Sequence, residues 1–233
     1  MLVALHDPLL VLASFLAVFL FVLGARAAGA MRAPASAVRR GLHAAVGLWS
    51  AFIATQFTQL GWALVPSMGF LALNASGKTT RLAPALRREG ETGSSSGLWT
   101  FPLGVALTYI LFWNDAGRGP VMAGCLSLAL ADPIAAWVGT RLGQRRLRPL
   151  RLRRTLEGSL AFFLVAAIAV AWVAGTTPTA IFGPWPAETP GAPVLRLALG
   201  CGAVGALAEA LSPRGWDNAT IPVLVGGAYR LLA

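Results

Sequence analysis

The sequence predicts an all-α integral membrane protein, a polytopic bundle of about eight transmembrane helices with both termini on the non-cytoplasmic side. Three observations lead there. Of 233 residues, 56% are hydrophobic and only 12% charged, whereas a soluble domain carries about 25% charged residues. Apolar runs long enough to cross a bilayer recur along the whole chain. Nineteen Lys and Arg against nine Asp and Glu give a net charge of +10, and that charge gathers between particular pairs of runs. The same figures exclude a soluble nucleic-acid binder, a disordered basic tail and a secreted disulfide scaffold. Cys125 and Cys201 both sit inside apolar runs and read as packing residues.

In chain order the first span is Pro8–Ala25. No Lys or Arg precedes it, so it lacks the basic start of a signal peptide and reads as a membrane helix. His43–Asn74 exceeds one span and is weakened by Gln56 and Gln59, which predicts two shorter helices turning near Phe57–Thr58. Thr100–Asn114, Pro120–Gly139, Gly158–Gly175 and Val194–Leu211 follow, and the tail Ala219–Leu232 makes the eighth. No polar stretch is long enough for a separate domain, so residues 1–233 read as one membrane domain. Its loops 26–42, 77–99, 140–157 and 212–218 then share one face and hold sixteen of the nineteen basic residues. Positive-inside bias turns that face to the cytoplasm of a cell (inner) membrane, and chemistry is expected there.

Acidic residues at the ends of apolar helices are the strongest chemical signal. A carboxylate at the centre of a membrane helix costs on the order of 2.5–3.5 kcal/mol, and such residues are usually paired, protonated or metal-bound. Asp132, Glu157, Glu209 and Asp217 occupy such places, each near the cytoplasmic end of a run. One reading is a set of structural ion pairs with Arg141 or Arg214. The sharper reading is that they converge as hard oxygen ligands suited to Mg²⁺. Helical spacing puts Asp132, Ala135, Ala136 and Gly139 on one face, all small except the acid. After an arginine-rich loop comes Arg153-Arg154-Thr155-Leu156-Glu157-Gly158, where Thr155 is placed to cap a helix start beside two guanidinium groups, a ready phosphate site. The arginines of that loop would equally serve anionic headgroups. Glu209, Asp217 and Asn218 return acids and an amide to the same face.

Other motifs fail. Ser76-Gly77-Lys78-Thr79 resembles the end of a P-loop, but Ala72 stands where its first glycine is required. There is no H-E-x-x-H, G-x-S-x-G or C-x-x-C.

The stretch Asp132-x-x-Ala135-x-x-x-Gly139-x-x-x-Gly143, followed by Arg153-Arg154-Thr155-x-Glu157-Gly158, resembles the CTP-binding signature of dolichol kinase, phytol kinase and CTP-dependent diacylglycerol kinase. Arg39-Arg40-x-x-His43, Phe101-Pro102-Leu103-Gly104 and Asp217-Asn218-x-x-x-Pro222 resemble further stretches of that family. Two departures are Arg153-Arg154, where the relatives carry a lysine-rich pair, and Ala131 in place of a glycine. The resemblance implies a kinase moving the γ-phosphoryl of CTP to a lipid alcohol such as a polyprenol, phytol, geranylgeraniol or diacylglycerol. It implies Asp132 and Asp217 as metal and catalytic residues, with Glu209 as a third acid. Gly139, Arg141, Gly143, Arg153, Arg154, Thr155, Glu157, Gly158 and Asn218 would bind CTP, and Arg40 and His43 the acceptor. Expected partners are the bilayer, a lipid alcohol and a nucleoside triphosphate, with Mg²⁺ as cofactor and no nucleic acid. Phosphatidate cytidylyltransferases share the signature loosely and make the first alternative, although their Gly-His-Gly-Gly…Asp-Arg-x-Asp ending is replaced here by Pro213–Asn218. A transporter or lipid flippase is the alternative of a different class, since intramembrane acids also mark ion pathways.

Overall fold

The computed structural model of the chain describes residues 2–76, 96–113, 118–146, 154–175, 194–213 and 215–233. Arg153, Arg214 and Lys78 lie outside the described residues. Among those described, the regular elements are α1 (Leu2–Ala30), α2 (Ala35–Ala54), α3 (Leu60–Ala75), α4 (Ser96–Phe112), α5 (Arg118–Arg141), α6 (Leu156–Gly175), α7 (Val194–Leu211) and α8 (Asp217–Leu232). The fold is therefore all-helical. Four of these helices, α1 from Leu5 onward, α5, α6 and α7, are long and apolar enough to cross a membrane, while α3 and α4 are shorter apolar helices.

The long run between His43 and Asn74 does break near Phe57. The amides of Thr55 and Gln56 close the end of α2 on the carbonyls of Phe52 and Ile53 at 3.1 and 3.0 Å. The start of α3 then needs partners for its unbonded amides, and they come from another helix. Asp7 of α1 accepts from the Thr58 and Gln59 amides at 3.1 and 3.0 Å and from the Thr58 hydroxyl at 2.8 Å. A buried carboxylate thus ties α1 to the α2–α3 turn, at the end of the bundle remote from Asp132, Glu209 and Asp217.

The centre of the bundle is α5. Every residue from Gly119 to Leu126 is buried, as expected for a helix that is apolar all round. It is enclosed by α2, α6 and α8, with α7 packed on α6 and α8, α4 on α3 and α8, and α1 outside on α2 and α3. Small residues set the separations. Gly47 of α2 lies against Ala129, and Gly202 of α7 against the Phe163 carbonyl of α6. The small-residue row Ala198, Gly202, Ala206 and Ala210 on α7 is thus a helix-packing face, where close backbone approach supplies dispersion contacts that apolar solvation alone cannot supply in lipid. Outward-facing Leu9, Leu12, Leu16 and Phe19 leave most of α1 exposed, a surface suited to acyl chains.

Within α5, residues Ser127–Ala131 form a π turn ending at Asp132. Through such a turn carbonyls reach the amide five residues on instead of four. For Leu128 that amide belongs to Pro133, which has no N–H. The missing donor is His43 of α2, whose Nε2 lies 3.1 Å from the Leu128 carbonyl and so carries the ring proton. This contact fixes α2 against α5 at the level of Asp132.

Candidate functional site

Three of the four acids singled out in the sequence meet around one arginine. Arg154, just ahead of α6, places Nη1 2.8 Å from Glu209 Oε1 of α7 and Nη2 2.7 Å from Asp217 Oδ2 of α8. Both carboxylates are buried, at 2% and 6% exposure. Burial opposes the charge on Arg154, but Glu209, Asp217 and Asp132 together outweigh it and raise the guanidinium pKa above its ordinary value. Ser159 Oγ, one turn into α6, stands 3.4 Å from Glu209 Oε2. Asp132 Oδ2 lies 3.8 Å from His43 Nε2, and the His43 ring stands edge-on to Phe101 of α4 with centroids 5.0 Å apart.

The local structure explains how each group is presented. Gly215 sits at φ 86°, a backbone state that glycine adopts without strain, and turns the chain sharply from α7 into α8. The turn is pinned to α4 from both sides. Thr100 Oγ1 donates to the Gly215 carbonyl at 2.5 Å, and Asn218 Nδ2 donates to the Gly97 carbonyl at 2.8 Å. Trp99 and Trp216 stack edge to face beside it, 5.3 Å apart. Asp217 consequently opens α8 facing Arg154, with its Oδ1 accepting from the Asn218 amide at 3.0 Å.

Thr155 caps α6 as expected, its Oγ1 accepting from the Gly158 amide at 3.2 Å. Glu157 faces away from the other acids and takes the Arg145 amide at 3.1 Å. It holds the segment after α5 alongside Arg154–Leu156, where Leu156 N donates to the Arg145 carbonyl at 2.9 Å and Arg146 bridges Thr155. Gly139 and Gly158 meet at the α5–α6 crossing; a Cβ on Gly139 would stand 3.0 Å from Thr155 Oγ1 and 3.7 Å from Gly158 Cα. Gly143 likewise lies against Thr155. Arg141 stands over the Trp137 ring, 6.0 Å from its centroid, outside the group around Arg154.

Beside this ionic group opens a cavity of about 1400 Å³. Arg40, His43, Asp132, Arg154, Asp217 and Asn218 line one end, and mostly apolar side chains of α1–α4, with Ser14, Ser50 and Ser67 among them, line much of the rest. Sequence reasoning did not anticipate Ser159, Thr100 or Gly97, which orient the acids through single hydrogen bonds and carry no motif. Asp7 was discoverable, as an acid at the head of an apolar run.

Among the described residues no three His, Cys, Asp or Glu side chains form a ready metal cage. Mg²⁺ commonly takes only one or two carboxylates and completes its shell with phosphate oxygens and water. Asp132 and Asp217, hard oxygen donors at one cavity mouth, fit that mode of binding. No known protein family, characterised protein or solved structure matches the chain.

Proposed function

We propose that the protein is a CTP-dependent lipid-alcohol kinase, transferring the γ-phosphoryl of CTP to the hydroxyl of a membrane lipid. The observation that carries this reading is the clamp of Arg154 between Glu209 and Asp217, with Asp132 and His43 beside it, at the charged end of a cavity that is otherwise mostly apolar. Triphosphate and alcohol need these two environments side by side. In this reading all eight helices span the membrane, both termini lie outside, and the basic loops and the site face the cytoplasm.

Catalysis of phosphoryl transfer is mainly positioning and charge neutralisation. Arg154 would exchange its carboxylate partners for phosphate oxygens, a bidentate contact for which guanidinium is shaped. Arg153, next in the chain, and Arg40, at the same mouth, are the further cations the nucleotide would meet. Mg²⁺ arriving with the nucleotide would be held by Asp132 and Asp217 and would neutralise phosphate charge. The acceptor hydroxyl, placed near His43 and Asp132, forms the new O–P bond at the γ-phosphorus. The bond from that phosphorus to the β,γ-bridging oxygen breaks, CDP leaves, and the hydroxyl proton passes to the Asp132 carboxylate.

Purified protein incubated with γ-labelled CTP and a panel of lipid alcohols tests the proposal. Label must reach the lipid, and Asp132→Asn must abolish the transfer while leaving the folded protein intact. Lipid labelled only from α-labelled CTP would establish a cytidylyltransferase instead. Absence of any nucleotide binding, read as thermal stabilisation, would return the transporter class. Undiminished transfer by Asp132→Asn would remove that acid from the mechanism.

A further inference from the structure

The cavity extends well past the groups that a nucleotide and a hydroxyl require. From the level of His43 and Asp132 it runs between α1, α2, α3 and α4 to Ile53, Ala63 and Tyr109. There it meets a floor. The Tyr109 hydroxyl donates to the Ser50 carbonyl at 2.6 Å, joining α4 to α2, and Tyr109, Ile53 and Ala63 are all buried. Three helices give the depth independently. His43 to Ile53 on α2, Asn74 to Ala63 on α3 and Leu98 to Tyr109 on α4 each span ten or eleven residues, or about 15–17 Å at the helical rise.

The wall along this depth is mostly apolar, with Ser67 and the indole N–H of Trp49, unpaired among the described residues, as its polar exceptions. Phe15 of α1 and Phe70 of α3 pack with ring centroids 5.0 Å apart. The hydroxyls of Ser14 and Ser50, which could have wetted it, turn back onto the Leu10 and Val46 carbonyls of their own helices at 2.8 Å.

Resting on the lipid-alcohol reading of the site, we infer that this cavity houses the hydrocarbon tail of the acceptor and measures it. The occupant is a single-chain alcohol with its hydroxyl at His43 and Asp132 and its chain end at Tyr109. A zig-zag chain advances about 1.2 Å per bond, so an isoprene unit of four bonds advances about 5 Å and the cavity takes about three units. A long polyprenol would strike the floor. A diacylglycerol with chains of about sixteen carbons, each about 19 Å long before its glycerol is counted, would overrun it as well. The tail therefore lies inside the protein instead of hanging in the bilayer.

The test is binding in the absence of nucleotide, by native mass spectrometry of detergent-solubilised full-length protein. Isoprenoid alcohols of two, three, four, six and nine units and a diacylglycerol of two sixteen-carbon chains are the probes. Retention is expected to peak at three units and to fall about tenfold or more for the nine-unit alcohol and the diacylglycerol. Tyr109→Ala removes the floor and should move the optimum to four units; Ala63→Phe raises the floor and should move it to two. A flat profile across lengths in the wild-type protein, or strongest binding of the diacylglycerol, overturns the inference, as does an unmoved optimum in both folded variants. Because no CTP is present, the expected length profile without phosphotransfer would reject the kinase and keep the cavity, whereas transfer with a flat profile would do the reverse.

Discussion

Replacing Arg154 isolates the electrostatics of the site. Its guanidinium lies 2.8 and 2.7 Å from two buried carboxylates, those of Glu209 and Asp217. Arg154→Met keeps much of the apolar stem and removes the charge. Breaking a buried pair by deleting one partner costs about 3–5 kcal/mol, because the abandoned charge has neither water nor counter-ion. The Arg154 side chain keeps 28% of its exposure, so some water already reaches the pair, and the lower figure of about 3 kcal/mol applies. For a chain of this size each kcal/mol moves Tm by about 2–4 °C, so Arg154→Met should melt about 6–12 °C below the wild-type protein. Thermal unfolding in detergent, followed by intrinsic fluorescence of the eight tryptophans, reads this directly. The variant that also carries Glu209→Gln and Asp217→Asn neutralises both carboxylates that Arg154 bonded and should recover most of the loss, since a neutral, well-packed replacement of a buried ion group is often no less stable. If Arg154→Met melts within about 2 °C of wild type, or the triple variant is no better than the single one, the carboxylates are not held as ions by Arg154 and the reasoning fails.

Three smaller perturbations probe the frame around the site. Asp7→Ala orphans the Thr58 and Gln59 amides and should cost about 3 kcal/mol, with Asp7→Asn losing about half of that because one acceptor oxygen remains; thermal unfolding of the pair checks the ratio. Thr155→Ala removes the cap of α6 and should cost about 1 kcal/mol, while Thr155→Ser should melt with the wild type. At Gly124 a Cβ would collide with the Pro222 carbonyl of α8, so Gly124→Leu should abolish the monodisperse peak in size-exclusion chromatography; Gly24→Leu, which meets nothing within 4 Å, should leave it unchanged.

Much of this arrangement was legible because membrane solvation makes polar residues conspicuous. An apolar run of bilayer length is a strong signal, and acids within it need a partner, so Asp132, Glu209 and Asp217 stood out before any contact was known. The run from His43 to Asn74 broke where two glutamines interrupted it. What the sequence did not reveal was direction. Glu157 has the same local setting as the others, yet the helix start turns it toward the Arg145 amide and away from the cluster. Arg141 shares a loop with Arg154 but lies over Trp137. Spacing gives the face of a helix, whereas the side-chain partner depends on which neighbouring helix packs there. The cavity was invisible for a related reason. It is a space left between four helices, and no residue type encodes it.

The π turn in α5 shows how one sequence feature reaches from backbone to chemistry. Pro133 cannot give its amide to Leu128, so that carbonyl is left for His43, which then sits beside Asp132 and turns its ring edge to Phe101. Restoring an amide at this position should undo the chain of dependence. In Pro133→Ala the Leu128 carbonyl gains a donor within its own helix, or the turn reverts to α register and rotates the preceding part of α5 relative to Asp132 by about 100° per residue of slip. Either outcome releases His43. The variant should stay folded, with Tm within about 2 °C of wild type or above it, because proline is removed from a helix and no core volume is lost. The ¹⁵N resonance of His43 Nε2 should shift as its carbonyl partner is lost, and under the proposed kinase function phosphotransfer should fall with it. An unmoved resonance would show that Pro133 does not determine the His43 contact. A moved resonance with full transfer would leave His43 as a packing residue and place the acceptor's proton on Asp132 without its help.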